Sequence, residues 1–153
     1  MRPELSAVKR LRELLDGQAL AVLATRGPEY PYQSLVAFAA TADLRRLVFA
    51  TTRSTRKYAN LQADARASMH INDAHRGPAD FLDAAAVTAA GSVVEPTGEE
   101  LERLRDRYLS RHPHLTEFAT SEDSALLCLH VAAYHLVERF QNVYEIRPGD
   151  STC

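Results

Sequence analysis

Leu5, Val8, Leu11, Leu14 and Leu15 recur at helical spacing, with Arg10, Arg12 and Glu13 on the other face. Pro3 suits a first helical turn and Gly17 a stop, so the opening segment predicts an amphipathic helix that needs a partner surface. The period then changes. Residues 19–25 form a short apolar run closed by Arg26-Gly27-Pro28, which reads as a buried strand and turn. Further strands are predicted over Tyr32–Ala40 and 46–51, joined by the turn-like 41–45. A polar break follows, then a helix from about Ser54 to Ala63 and a fourth strand over 67–72. Residues 84–94 predict a fifth strand, longer and rich in small side chains.

Thr97-Gly98-Glu99-Glu100 has the spacing of a capping box. It opens a helix to about Ser110 whose Leu101, Leu104, Tyr108 and Leu109 share one face. Two closing strands are expected, Ala125 to Tyr134 and 135–139, the last extended by 142–147. Six or seven strands with about three helices and mostly short turns predict a mainly β (α+β) chain. An antiparallel barrel with peripheral helices fits; an open α+β sandwich satisfies the same periodicity. No repeat, low-complexity tract or linker divides residues 1–153, so one domain is expected.

Composition narrows the function classes. The chain of 153 residues is 46% hydrophobic and 25% charged, with a net charge of −2, which argues against a general nucleic-acid binder. Of its 18 Lys and Arg residues only Lys9 and Lys57 are lysines. The two cysteines, Cys128 in an apolar run and the terminal Cys153, do not suggest a disulfide framework. No run reaches the roughly 18 apolar residues of a membrane span, and no signal-peptide core follows Met1-Arg2-Pro3-Glu4. A soluble, cytoplasmic protein is the expectation.

The densest chemistry lies at the predicted strand-to-helix junction. Thr51, Thr52, Ser54 and Thr55 supply four hydroxyls, and Arg53, Arg56 and Lys57 supply three positive charges. The first N–H groups of a helix lack intrahelical partners, and the helix dipole adds positive character there. Together they suit an anion, commonly phosphate. Arg offers a bidentate fork and Lys a point charge. Cations in a first turn oppose the dipole by about 0.3–1 kcal/mol each, so Arg56 and Lys57 are costly there unless an anion is bound. The competing reading is an exposed helix start, capped by Ser54 or Thr52, with solvated charges.

Several segments in order resemble the pyridoxamine 5′-phosphate oxidase-like family of FMN-binding split barrels. They are residues 31–38, residues 47–52, Ser54-Thr55-Arg56-Lys57 with Asn60-Leu61, and Asp64-Ala65-Arg66-Ala67-Ser68-Met69. The likeness covers about Gln18 to Asp73. Residues 111–141 also resemble a haem-utilisation-related branch. The resemblance implies that Thr51, Thr52, Arg56 and Lys57 hold the phosphate and ribityl chain of FMN, with Ala50, Ser54 and Thr55 also binding the cofactor. Ser34, Leu35 and Val36 would run along the flavin edge, partly through backbone groups, and Asn60 would support the loop. It also implies a flavoprotein oxidoreductase acting on a small molecule, and a homodimer with flavin between subunits. Haem and the deazaflavin F420 are alternative cofactors in such relatives, and a non-catalytic binding module is an alternative function. True oxidases of the family carry Arg near the position of Gln33 or Ser34 and an Arg-x-His-type ending. This chain has neither, so turnover of a B6 vitamer is not expected.

The remaining candidates carry plainer readings. His70, His75, His112, His114, His130 and His135 show no zinc-ligand spacing. Packed or surface histidines are the simplest reading, with haem ligation by His112 or His114 the sharper one. Cys128, flanked by leucines, reads as an inert thiol. Asn72, Asp73, His75, Arg76, Gly77 and Pro78 form a polar loop, either a surface turn or the mouth of a substrate site.

Overall fold

The computed structural model describes residues 3–75 and 77–149. Arg76, Cys153 and the first two residues, all named above, lie outside them. Helix α1 (Pro3–Gly17) precedes strands β1 (Leu20–Arg26), β2 (Pro31–Ala40) and β3 (Arg46–Thr52). Helix α2 (Arg56–Ala63), β4 (Arg66–Asn72), the one-turn α3 (Asp80–Asp83) and β5 (Ala85–Val94) follow. Helix α4 (Gly98–Arg111), a 3-10 turn at Pro113–Leu115 and α5 (Thr116–Thr120) lead to β6 (Ser124–Glu138) and β7 (Asn142–Ile146). All pairings are antiparallel. The sheet order is β3-β2-β1-β4-β5-β6-β7, and β3 also pairs with β6, closing six strands into a barrel with β7 added to β6.

The three expected helices are present; α3 and α5 are short additions before and after α4. Alternation along the strands sends Leu23, Phe38, Phe49, Met69, Val87 and Leu127 inward. Helix α1 adds Ala7, Leu11, Leu14 and Leu15 to the same cluster, whereas Leu5 stays exposed. A second, smaller core forms outside the barrel wall. There Ala39, Val48, Ala50, Leu126 and Cys128 meet Leu104 and Tyr108 of α4 and Ala119 of α5. Thus β3 serves two cores, with Leu47 and Phe49 facing inward and Val48 and Ala50 outward.

Arginines dock α4 onto this scaffold. Arg111 donates to the carbonyls of Leu15 at 2.8 Å and Asp16 at 3.0 Å, and also to that of Gln18. These include acceptors that the end of α1 leaves unpaired. The same guanidinium lies 5.1 Å from the centre of the Phe38 ring, and Arg107 donates to the Ala40 carbonyl at 2.9 Å.

Three local expectations need correction. The closing strands do not divide at Tyr134: β6 runs unbroken for 15 residues. Its bend is absorbed by a register shift between Ala90 and Gly91 that leaves Ala132 as the extra residue. The turn comes later, where Arg139 and Phe140 adopt positive φ, and β7 is a separate strand. Thr97 occupies the N-cap of α4, but its side chain makes no capping bond; Gly98 beside it is left-handed at φ 63°. Helix α2 starts two residues later than expected.

Candidate functional site

The junction after β3 is a tight turn held by its own hydroxyls. Thr55, rather than Ser54 or Thr52, is the N-cap of α2, and its Oγ1 accepts from the Tyr58 N–H at 3.3 Å. The Thr55 hydroxyl donates to the Thr52 carbonyl at 2.9 Å and lies 2.8 Å from the buried Thr51 Oγ1. Ser54 Oγ is 3.5 Å from Thr52 Oγ1. Because Thr55 serves Tyr58, the N–H groups of Arg56 and Lys57 are left as the open donors of the helix start. No acidic residue occupies that first turn.

The three cations of the segment have different fates. Arg53 is committed to structure. Its guanidinium lies 2.6 Å from Glu95 Oε1 and donates to the Tyr58 hydroxyl at 2.8 Å, and that hydroxyl donates to Glu95 Oε2 at 3.2 Å. The hydrogen bond it donates to Glu95 is the main reason that the Arg53 guanidinium holds its proton more tightly than usual. The Arg53 N–H donates to the Asp123 carbonyl at 2.8 Å, pinning the turn from its other side. Arg56 is exposed and lies 5.8 Å from the centre of the Tyr32 ring. Lys57 is half-buried. Neither Arg56 nor Lys57 makes an ion pair among the described residues.

A groove of about 380 Å³ opens beside this turn on the outer face of β2 and β3, within the usual range of roughly 300–1,000 Å³ for a ligand site. Thr51, Thr52, Thr55 and Lys57 give it a polar side. Leu35, Val36, Ala37 and Ala50 contribute from the strands, and Tyr108, Leu115 and Phe118 from the α4–α5 region. Seven expected residues therefore meet here: Leu35, Val36, Ala50, Thr51, Thr52, Thr55 and Lys57. Ser54 and Arg56 belong to the turn but not to the groove wall. The Ser34 Oγ is buried without a hydrogen-bond partner, on the side of β2 shared by Val36 and Phe38. Asn60 is buried and donates to Thr25 Oγ1 at 3.0 Å, bracing α2 against β1 without lining the groove.

Ala37, Tyr108, Leu115 and Phe118 are the wall residues that sequence reasoning did not assign to the site. The apolar face of α4 was visible; what it covers was not. The histidines gain definite places. His112 is 3% exposed with Nε2 2.7 Å from the Phe38 carbonyl, so that nitrogen is already engaged. His114 is exposed, with its ring centre 6.1 Å from that of His112. Cys128 is fully buried beneath α4 and α5, and burial pushes its thiol up to about 12, the inert behaviour expected. Among the described residues no cluster of His, Cys, Asp or Glu is suited to a metal, and no helix is long and apolar enough to cross a membrane. The loop after β4 is tied down, with Asp80 accepting from the N–H groups of His75 and Gly77. None of its described residues lines the groove.

Barrel and groove define a class: a small antiparallel split barrel with a groove of mixed, mainly apolar lining against its outer wall. A family model described as pyridoxamine 5′-phosphate oxidase matches residues 7–138, and the chain belongs to that family. A heme-binding protein from Mycobacterium smegmatis superposes with a TM-score of 0.85 at 23% identity, over 97% of this chain and 60% of that one. An FAD-binding protein from Mesorhizobium loti gives 0.67 at 15% identity, over 84% and 91% of the two chains. The heme storage protein HutZ from Vibrio cholerae gives 0.68 at 16% identity, over 80% and 88%. The chain thus spans about 60% of the mycobacterial protein's length. No curated protein matches the sequence.

Proposed function

We propose that the groove holds FMN and that the chain is a flavin-dependent oxidoreductase acting on a small substrate other than a B6 vitamer. One observation carries the reading: an apolar wall and an acid-free helix start, bearing a cation without an ion pair, border the same groove. Phosphate would take the N–H groups of Arg56 and Lys57, the hydroxyl of Thr52, and the Lys57 charge. The planar ring would lie toward Leu35, Leu115 and Phe118. When bound, the flavin would supply hydride or electron transfer, and the protein would position it and exclude water. Family membership and the FAD-binding description of the Mesorhizobium protein support a flavin. The free, buried Cys128 fits a reducing compartment such as the cytoplasm.

A second copy of the chain would complete the site. Leu35 is 64% exposed at the groove's edge, and Leu20 on the neighbouring strand is also exposed. These apolar side chains favour burial against another subunit, which gives a homodimer with flavin at the interface.

Haem binding is the second reading, motivated by the descriptions of the mycobacterial and Vibrio proteins. With one nitrogen of His112 engaged by Phe38, His114 is the more accessible ligand. F420 is a third occupant of the same groove. A visible spectrum of purified protein, before and after adding FMN, separates them. The two-band spectrum of an oxidised flavin is expected. An intense Soret band selects haem, and absorption to the blue of a flavin selects F420. Colourless protein that takes up no added FMN removes the flavin reading.

A further inference from the structure

The hairpin between β6 and β7 turns on Arg139 and Phe140, whose φ angles are 50° and 62°. The Gln141 N–H closes it by donating to the Glu138 carbonyl at 3.2 Å. Positive φ at both central positions is the geometry for which Asn-Gly is preferred. Bulky side chains are strained there, and such strain persists where something else requires it. What this turn holds up is an aromatic ring. Phe140 is 68% exposed and stacks on Phe81, which is equally exposed, at 5.5 Å between centres.

Phe140 also borders a hollow of about 240 Å³ on the outer face of the barrel. Asn72 of β4, Ala86 of β5 and Val137 of β6 stand side by side there in register, while their neighbours Ile71, Val87 and Leu136 face the core. Ala84, Ala85 and Ala86 are too short to fill the space between the longer side chains, which leaves a mainly apolar hollow. It shares no lining residue with the groove beside α2.

One polar edge remains, and its chemistry is set. Asn72 Oδ1 accepts from the Ala74 N–H at 3.1 Å, which fixes the orientation of the amide. Its Nδ2 is therefore the donor to His70 Nε2, at 3.2 Å. In the neutral imidazole the accepting nitrogen carries no proton, so the hydrogen sits on Nδ1. That N–H bonds to no described residue, on an exposed side chain that lines the hollow.

We propose that this hollow is a ligand site for a small, flat aromatic compound of one or two rings. A carbonyl oxygen or ring nitrogen of that compound accepts from His70 Nδ1–H, and Phe140 packs against the ring. The size fits such a ligand, because the hollow is smaller than the roughly 300–1,000 Å³ of cofactor-sized sites. The strained turn then has a role, which is to hold Phe140 at the rim. The proposal is independent of the FMN reading.

Quinoline and indole are suitable probes. Both are flat two-ring molecules, and only quinoline carries a ring-nitrogen acceptor. Titration of isotope-labelled protein, followed by its amide resonances, should give saturable shifts at Ala84, Ala85 and Ala86 at roughly millimolar ligand. Quinoline should bind more tightly than indole. His70→Leu should weaken quinoline about threefold to tenfold and change indole about twofold at most. Phe140→Gly should weaken both about threefold to tenfold, yet melt no lower than wild type, because glycine relaxes the turn. No saturable shift at the three alanines with either probe would overturn the proposal, as would shifts confined to Thr51–Lys57. An unchanged quinoline affinity in His70→Leu would overturn it too. A Phe140→Gly protein that melts clearly lower would show the ring serving the fold. One that changes from dimer to monomer by light scattering would show it serving a subunit contact. Either result would overturn the proposal.

Discussion

Replacing Arg56 and Lys57 together by alanine should weaken FMN binding by about tenfold to 100-fold, chiefly through loss of the Lys57 charge, while changing riboflavin affinity about twofold at most. A hydrogen bond to a charged group is worth roughly 1.5–3 kcal/mol, and each 1.4 kcal/mol is a factor of ten. The two ligands differ only in the phosphate, so their ratio isolates it. Neither cation makes an ion pair with a described residue, so removing them leaves no buried acid stranded in the protein. Apparent stability without ligand should hold or rise slightly, since cations in a first turn oppose the helix dipole. Arg53→Ala is the informative contrast. That guanidinium is engaged by Glu95 and Tyr58, so its loss should affect FMN much less. Titration by flavin fluorescence quenching measures all three. Equal losses for FMN and riboflavin would show that Arg56 and Lys57 do not read the phosphate.

Gly91→Ala should lower stability by about 3 kcal/mol or more, which is roughly 6–12 °C in melting temperature for a domain of this size. A Cβ built on Gly91 would sit 1.9 Å from the His130 carbonyl oxygen and 3.2 Å from the Ala132 nitrogen. Both are backbone atoms, so no rotamer change relieves the clash. The register shift that bends β6 depends on this close approach. Gly17 provides the control, because a Cβ there meets nothing within 4 Å, and Gly17→Ala should melt close to wild type. Thermal unfolding followed by circular dichroism compares the two. A Gly91→Ala protein that melts like wild type would show that β5 and β6 approach less closely than described.

The barrel was legible because most of its strands alternate cleanly between two environments. The inward set of β3, Leu47 and Phe49, and its outward set, Val48 and Ala50, are both apolar, which explains why that segment read as a continuous buried run. The late turn between β6 and β7 was not legible. It uses positive φ at Arg139 and Phe140, residue types that no turn preference marks, whereas the expected division fell after Tyr134. At the site, the hydroxyl-rich segment announced an anion-ready turn. Its internal assignment needed coordinates: Thr55 caps the helix, Thr51 supports Thr55, and Arg53 is withdrawn by Glu95. Glu95 lies 42 residues further along the chain than Arg53, and Tyr108, Leu115 and Phe118 lie further still. Such partners meet only through barrel closure, which local periodicity does not encode. Asn60 shows the converse, since a residue next to the site in sequence is spent on bracing Thr25.

Strand β3 closes the barrel against β6 and also floors the groove. A ligand lying on that strand has no site on the unfolded chain, where β2, β3 and the α4–α5 wall are far apart. Occupancy therefore adds RT ln(1 + [L]/Kd) to the unfolding free energy. In a living cell the folded population, and with it resistance to proteolysis, would track the supply of the groove's ligand. Scarcity of that small molecule would deplete the protein itself before any question of its activity arose.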